Sequence, residues 1–482
     1  MMDDGGRTKG GLSLRSKLGY AMGDIYGGGS GTVIGILYLI FLTDVVRMPA
    51  AAAGVVLLVS KIWDAAIDPA LGFLGDRTRT RWGRRRPYFL FGIPFIFASF
   101  AILWLPSPFA GEAARFVFAI AGYMGFTLVS SAVMIAYNAL ASELAPSYGE
   151  RTALNAVRMV FSVASSLVCA VVPGLIVKAF PDPRVGYPVM GLAFGLLFAL
   201  PYIFVFLWTR ERPEFAEEAP AFDLRRLVVE PWKLRTFRRI LVMYLFGQMT
   251  FDLLMAVIPF YMKYYIGDSG LQEPLLGIIL GAQLLGVPLF SALAKKRSKR
   301  ASYLVSSVVR IVGSALLFLL LPGEAPPLLF VLAALNGIGG AGSIVMIYAM
   351  LADLPDADEL FSGERREGMY FGTISLLRQV SQALALFLFA QAIALTGYVA
   401  PVETLAGGAT RLVAQAQPKA FVDALRVFMA VLPSLTVLAC VWAALGYRLS
   451  PEVHARLVAV LEARRAKTAA DQAEVAALEA LL

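Results

Sequence analysis

The sequence predicts an all-α membrane protein of twelve transmembrane helices arranged as two six-helix bundles. Three observations carry that prediction. Hydrophobic residues make up 58% of the 482 and charged residues only 16%, against about 25% charged in a soluble domain. Twelve apolar runs of membrane-spanning length follow one another along the chain. The longest polar gap, at 209–238, divides them six and six.

The runs lie at 18–44, 51–75, 88–107, 114–142, 153–179 and 186–208, then at 239–265, 272–293, 302–321, 326–351, 368–397 and 421–447. The domains expected are an N-terminal bundle (1–208), a central loop (209–238), a C-terminal bundle (239–447) and a tail (448–482). Alternating the sides places Arg77, Arg79, Arg81, Arg84, Arg85 and Arg86 together with Arg225, Arg226, Lys295, Lys296, Arg297, Lys299, Arg300, Arg365 and Arg366. The opposite-side link PGEAP at 322–326 has no basic residue. The positive-inside rule then makes both termini cytoplasmic. The start of the chain is polar and leads directly into a full-length span, so no cleavable signal is expected. In the tail, Ser450 reads as an N-cap with Pro451 at the first helical position. An amphipathic helix that packs on the bundle or lies on the membrane surface should follow, with the only histidine, His454, as a solvated side chain on it.

The net charge of +9 comes from short loops between apolar runs, which is membrane orientation and not nucleic-acid binding. Cys169 and Cys440 lie far apart in apolar segments and imply no disulfide framework. The glycine-rich runs at 27–31 and 337–342 lack the strand–turn–helix context of a phosphate loop and read as close helix packing. Nothing resembles a metal cluster, a nucleophile triad or a nucleotide-binding motif, so neither an enzyme nor an ATP-driven pump is expected.

Chemistry is concentrated in KIWDAAIDPALGFLGDRTRTRWGRRRP, Lys61 to Pro87. Asp64 and Asp68 are four residues apart on one helical face. Carboxylates at bilayer depth persist mainly where they face a bundle interior, a cavity or an ion pathway. An acidic pair beside a basic loop points to ion-coupled transport. With each span's centre taken as the midplane and a rise of about 1.5 Å per residue, Asp64 lies near the midplane. Asp68 then lies roughly 9 Å, Asp24 and Arg158 roughly 10 Å and Arg378 roughly 6 Å toward the cytoplasm. Four helices thus bring charge into one shallow layer. Asp252, near the centre of the seventh run, is a further candidate, while Arg310 on the ninth reads as structural.

The order and content of these segments resemble the glycoside–pentoside–hexuronide:cation symporters, the melibiose permease family of the major facilitator superfamily. The run DAAIDPALGFLGDRTRTRWGRRRP is similar to the family's helix-two signature. KLGYAMGD, YNALASEL, ERTALNAVRM and MLADLPDADELFSGERREG agree in order with further family motifs. The resemblance implies the major facilitator fold, with Asp64, Asp68 and Ser131 as cation ligands. It also implies solute contacts at Asp24, Tyr137, Asn138 and Arg158, and at Arg378 or its neighbour Gln379. Each has a bland rival: salt bridges for the charges, packing for Ser131, Tyr137 and Asn138. The cytoplasmic gate is expected at Arg77, Arg84, Arg85 and Arg86, with Asp353 and Asp356 among the acids that meet it.

The chain departs from the family's sugar permeases at three places. Met134 stands where a second sugar-binding aspartate is usual, Asn138 replaces a tryptophan, and Ile67 replaces an asparagine beside the acidic pair. The expectation is a cation-coupled symporter of the bacterial inner membrane, driven by H+ or Na+ and using no cofactor. Any metal would be Na+ at Asp64 and Asp68. The expected partners are a small-molecule solute, a sugar or glycoside, and the lipid bilayer; no nucleic acid is involved, and the chain is expected to be a monomer. The alternatives are an amphiphile or lysophospholipid carrier of the same fold and a non-transporting sensor.

Overall fold

The computed structural model describes residues 7–8, 11–145, 148–211, 230–323, 327–363, 367–406, 409–465 and 472–481. Among them are twelve helices long and apolar enough to cross a membrane. They are α1 (Leu14–Val45), α2 (Ala50–Gly75), α3 (Arg86–Leu103), α4 (Glu112–Ala141), α5 (Ala153–Lys178), α6 (Pro183–Trp208), α7 (Arg235–Ile266), α8 (Ser269–Lys296), α9 (Lys299–Leu319), α10 (Pro327–Ser362), α11 (Gly372–Leu395) and α12 (Lys419–Leu445). Each coincides with one predicted run. The largest difference is at α10, predicted to end at 351: the chain turns at Asp353 into a further short helix, Leu354–Ser362, which Gly363 closes with φ 71°. Most of the central loop and Arg225, Arg226, Arg365 and Arg366 lie outside the described residues.

The chain forms two compact units. The first comprises Met1–Pro220 with Leu386–Val422, the second Ala221–Ala385 with Asp423–Leu482. Loop length alone assigns all of 239–447 to the second bundle. Compactness instead gives the end of α11 and the following hairpin, Val402–Ala406 with Ala409–Val413, to the first. The physical reason is local contact. A Cβ on Gly54 would lie 2.7 Å from that of Ala390. Gln391 donates to the Ala51 carbonyl at 2.9 Å, and the Tyr398 hydroxyl bonds the buried Asp44 carboxylate.

Within the first unit α1 packs along α5, α2 along α4 and α3 along α6. The second unit repeats the scheme, with α8 on α10 and α9 on α12. The repetition extends to detail: α1 and α7 both end in a π-helical turn, Phe41–Val45 and Tyr261–Ile266. The glycine runs act as helix contacts, as expected. A Cβ on Gly28 would sit 2.7 Å from the Ser162 carbonyl oxygen, and one on Gly337 only 2.1 Å from that of Ile279. No side chain could occupy either position without separating the helices.

The tail belongs to the second unit's core. Ser450 caps the helix Pro451–Arg465, accepting from the Val453 N–H at 3.3 Å. Leu457, Val460 and Leu461 of that helix, with Leu478 of Gln472–Leu481, are buried against Leu354, Ala357 and Leu360. His454 differs from its expected solvated state. It is half-buried, with Nε2 at 3.2 Å from Asp356 Oδ2, because the same packing turns its face of the helix inward.

Candidate functional site

Asp64 and Ser131, predicted to share a site, are in contact. The Ser131 hydroxyl on α4 donates to Asp64 Oδ1 at 2.8 Å. Asp64 Oδ2 takes Lys61, one helical turn earlier on α2, at 3.2 Å. The carboxylate is buried and is held by one hydroxyl and one ammonium. Asp68, a turn further on, is half-buried. Pro69 follows it inside the helix. Lacking an N–H, a proline leaves the carbonyl four residues before it without a helix donor. That carbonyl belongs to Ala65.

Asp24 and Arg158 form the second predicted group. Asp24 is buried near the start of the main segment of α1, and Arg158 Nη2 donates to its Oδ1 at 3.0 Å. Two tyrosines set the geometry of the arginine. Tyr20 and Tyr137 stack with centroids 4.5 Å apart, and the guanidinium carbon lies 4.9 Å over the Tyr137 ring. The Tyr137 hydroxyl donates to the Tyr20 carbonyl at 2.8 Å, which ties α4 to α1. Tyr137 is fully buried and acts as a platform for Arg158; Asn138 is exposed. Tyr20 was not singled out in the sequence; its place in the KLGYAMGD motif was the available signal. Met134 borders the same pocket of charge. A side chain on Gly27 would meet Met134 Cε at 2.7 Å and Asp24 Oδ1 at 2.6 Å.

In the second unit Arg378 pairs with Asp252, Nη1 to Oδ2 at 2.6 Å. Gln382 Nε2 approaches Asp252 Oδ1 at 3.4 Å, and Gln379 is half-buried beside Arg378. Asp252 therefore belongs with Arg378. Gln382 was not anticipated, although it stands one helical turn after Arg378.

The expected gate residues are held within their own units. Glu211, just after α6, accepts from the backbone N–H groups of Arg84, Arg85 and Arg86 at 2.5, 2.7 and 2.7 Å. It thereby caps the N-terminus of α3, where the helix dipole favours an anion. The Arg84 guanidinium bonds Glu143 at 3.0 Å, and Arg85 lies 3.6 Å from the same oxygen. Arg77 lies over the Phe73 ring at 4.0 Å and is exposed. Asp353 takes Lys299 at 2.6 Å, and Asp356 takes His454. Burial pushes the Glu143 carboxyl above the ordinary glutamate range; the Glu211 charge adds to that, and Arg84 and Arg85 oppose it. Glu143 and Glu211 were missed because a single acid near a helix end carries no pattern of its own.

Paired charges buried among apolar spans of membrane-crossing length mark a multi-pass membrane protein. Residues 19–450 match the family model for MFS/sugar transport protein, and the chain belongs to that family. An uncharacterized symporter of Synechocystis sp. is 27% identical over 94% of this chain and 97% of its own length. The glucuronide carrier protein homolog of Escherichia coli is 28% identical over 81% of this chain and 85% of its own. The resemblance to the glycoside–pentoside–hexuronide:cation symporters is thus supported along most of the sequence. In three dimensions the chain is similar to the crystal structure of nucleoside transporter NupG, with a TM-score of 0.61 at 13% identity over 90% of this chain and 98% of that one. At that identity the likeness is one of fold.

Proposed function

We propose that the protein is a secondary active symporter that imports a sugar or glycoside with H+ or Na+ by alternating access, its basic loops and both termini facing the cytoplasm of a bacterial cell. The observation that carries the reading is the Asp64 carboxylate, buried in α2 between the Ser131 hydroxyl and the Lys61 ammonium. An ionised carboxylate in a low-dielectric bundle gains from any cation that neutralises it. Lys61 is the counter-charge at hand, and an incoming ion would compete with it. Asp64, Asp68 and Ser131 supply oxygens for Na+; a proton needs only one carboxylate. Asp24 and Arg158 would grip adjacent hydroxyls of the solute, one accepting and one donating, and Arg378 or Gln379 would be a further solute contact. The arginine loop would serve as a gate. That role requires Arg84 to leave Glu143 and Asp353 to leave Lys299.

A second reading, an amphiphile carrier, is favoured by Met134. Its sulfur accepts from the Tyr202 hydroxyl at 3.4 Å, and its terminal methyl and Asp24 Oδ1 both border Gly27, so this side of the site offers apolar surface.

The test is uptake into proteoliposomes under imposed Na+ or H+ gradients, with sugars, glycosides, hexuronides and lysolipids as solutes. Gradient-driven sugar accumulation that is lost in Asp64→Asn and Asp68→Asn while solute binding survives would support the reading. Undiminished accumulation in both variants would remove the cation role. Uptake of lysolipids alone would favour the second reading.

A further inference from the structure

Arg310 stands about midway along α9, eleven residues from Lys299 and nine from Leu319. At a rise of about 1.5 Å per residue that is roughly 13–16 Å from either end, too far for the side chain to snorkel to an interface. Its side chain is buried, and it makes no ion pair or hydrogen bond with any described residue; its Nε is fully enclosed. Sideways escape is blocked as well. A Cβ on Gly339 of α10 would lie 2.7 Å from the Arg310 backbone nitrogen, so the two helices are in close backbone contact there. A guanidinium at this depth with no counter-charge is strongly unfavourable.

What Arg310 does face is a cavity of about 30 Å³ inside the second unit, with room for one or two water-sized bodies. Most of its wall is apolar, from residues such as Leu254, Ile279 and Leu329, but Gln283 of α8 and Asn336 of α10 also line it. Gln283 has no hydrogen-bond partner among the described residues. Asn336 is oriented by its neighbours: its Oδ1 accepts from Ser314 Oγ at 2.6 Å and its Nδ2 donates to the Leu332 carbonyl at 3.1 Å. Asn336 keeps its second N–H and one lone pair of Oδ1. The cavity therefore gathers a fixed positive charge and two amides able to donate, and no carboxylate is among its lining residues.

We propose that this cavity binds one small inorganic anion of the halide class, held by Arg310, Gln283 and Asn336 and separate from the groups around Asp64, Asp24 and Asp252. A halide supplies the missing charge and accepts several N–H bonds without directional demands. Water would satisfy the donors but leave the charge uncompensated.

The test uses the full-length protein in nanodiscs. Its thermal midpoint is followed as chloride replaces gluconate at constant Na+ and ionic strength, with bromide as a second probe. The expected result is a saturable rise of several degrees with either halide, as linkage requires of a ligand that binds only the folded form. That rise should disappear in Arg310→Met and shrink in Gln283→Leu. Identical midpoints in chloride and gluconate would overturn the proposal and leave only water in the cavity. So would an undiminished halide response in the variants. Should Arg310→Met not fold, anomalous diffraction from wild-type crystals grown in bromide decides: a peak within hydrogen-bond distance of the guanidinium supports the site, and its absence at saturating bromide rejects it.

Discussion

Arg378 and Asp252 meet at two points, Nη1 to Oδ2 at 2.6 Å and Nη2 to Oδ1 at 2.8 Å, linking α11 to α7 within the second unit. Only the Nη2–Oδ1 contact is a hydrogen bond; the Nη1–Oδ2 approach is an ion-pair contact without hydrogen-bond geometry. Arg378→Gln or Asp252→Asn alone leaves one charge in a mostly buried place. Each should lower stability by about 1.5–3 kcal/mol, the worth of hydrogen bonds to a charged group. The double variant should recover much of the loss, because no lone charge remains. Thermal unfolding of the three proteins measures this. A double variant no better than the worse single one would mean that the two side chains have other essential partners.

The Asp24–Arg158 pair should behave differently if it grips the solute. Only one donor–acceptor contact at 3.0 Å joins them, and Arg158 Nη1 reaches Tyr20 at 3.5 Å. Each single variant, Asp24→Asn or Arg158→Gln, should weaken solute binding by about 1.5–3 kcal/mol. The double variant should lose both contributions. Equilibrium binding decides, and near wild-type affinity in the double variant would assign Arg158 to structure alone.

Glu211 holds three successive backbone N–H groups at the start of α3. Glu211→Ala removes that cap, worth up to about 2 kcal/mol in a partly buried setting. The arginine loop should then open to trypsin several-fold faster than in the wild type, read as fragments cut between Arg77 and Arg86. Equal cleavage rates would show that Arg84 and Arg85 secure the loop through Glu143 without it.

Glu143 sets a pH dependence. Its folded carboxyl titrates above the ordinary glutamate range because of burial, with Glu211 adding to the shift. The folded form therefore takes up a proton at higher pH than the unfolded chain, whose glutamate titrates near about 4.3. Acidification must stabilise the fold through this group, and the gain is complete below the unfolded value. Between about pH 7 and about pH 5, the midpoint of the wild type should rise relative to that of Glu143→Gln. A gap that moves the other way would mean that the Arg84 contact outweighs burial.

Gly28 and Gly31 separate packing from helix propensity. A methyl on Gly28 meets the Ser162 backbone, whereas one on Gly31 meets nothing within 4 Å. Gly28→Ala should destabilise by about 1–3 kcal/mol. Gly31→Ala should be neutral or slightly stabilising, since alanine favours the helix. The same thermal assay checks both, and equal effects would place the α1–α5 contact elsewhere.

The sequence by itself determined the twelve spans, their division six and six, and the family. Hydropathy is summed over some twenty residues and helical rise is constant, so these properties survive local error. The Asp64–Ser131 contact was legible because the family resemblance named both positions, and the Asp24–Arg158 contact because it named both and their depth estimates agreed. Only the tertiary structure decided which charge meets which. Lys61 is one turn from Asp64 and could be named beforehand, but Glu211 reaches the arginine loop across more than a hundred residues, and Asp252 finds Arg378 across a similar distance. It also decided that Tyr137 is a buried platform, that the hairpin after α11 belongs with the first unit, and that Arg310 faces a cavity. Pairing at long range depends on helix rotation and crossing, which are set by close contacts such as Gly28 on Ser162 and Gly339 on Arg310. Helical periodicity says which residues share a face; packing alone says what that face touches.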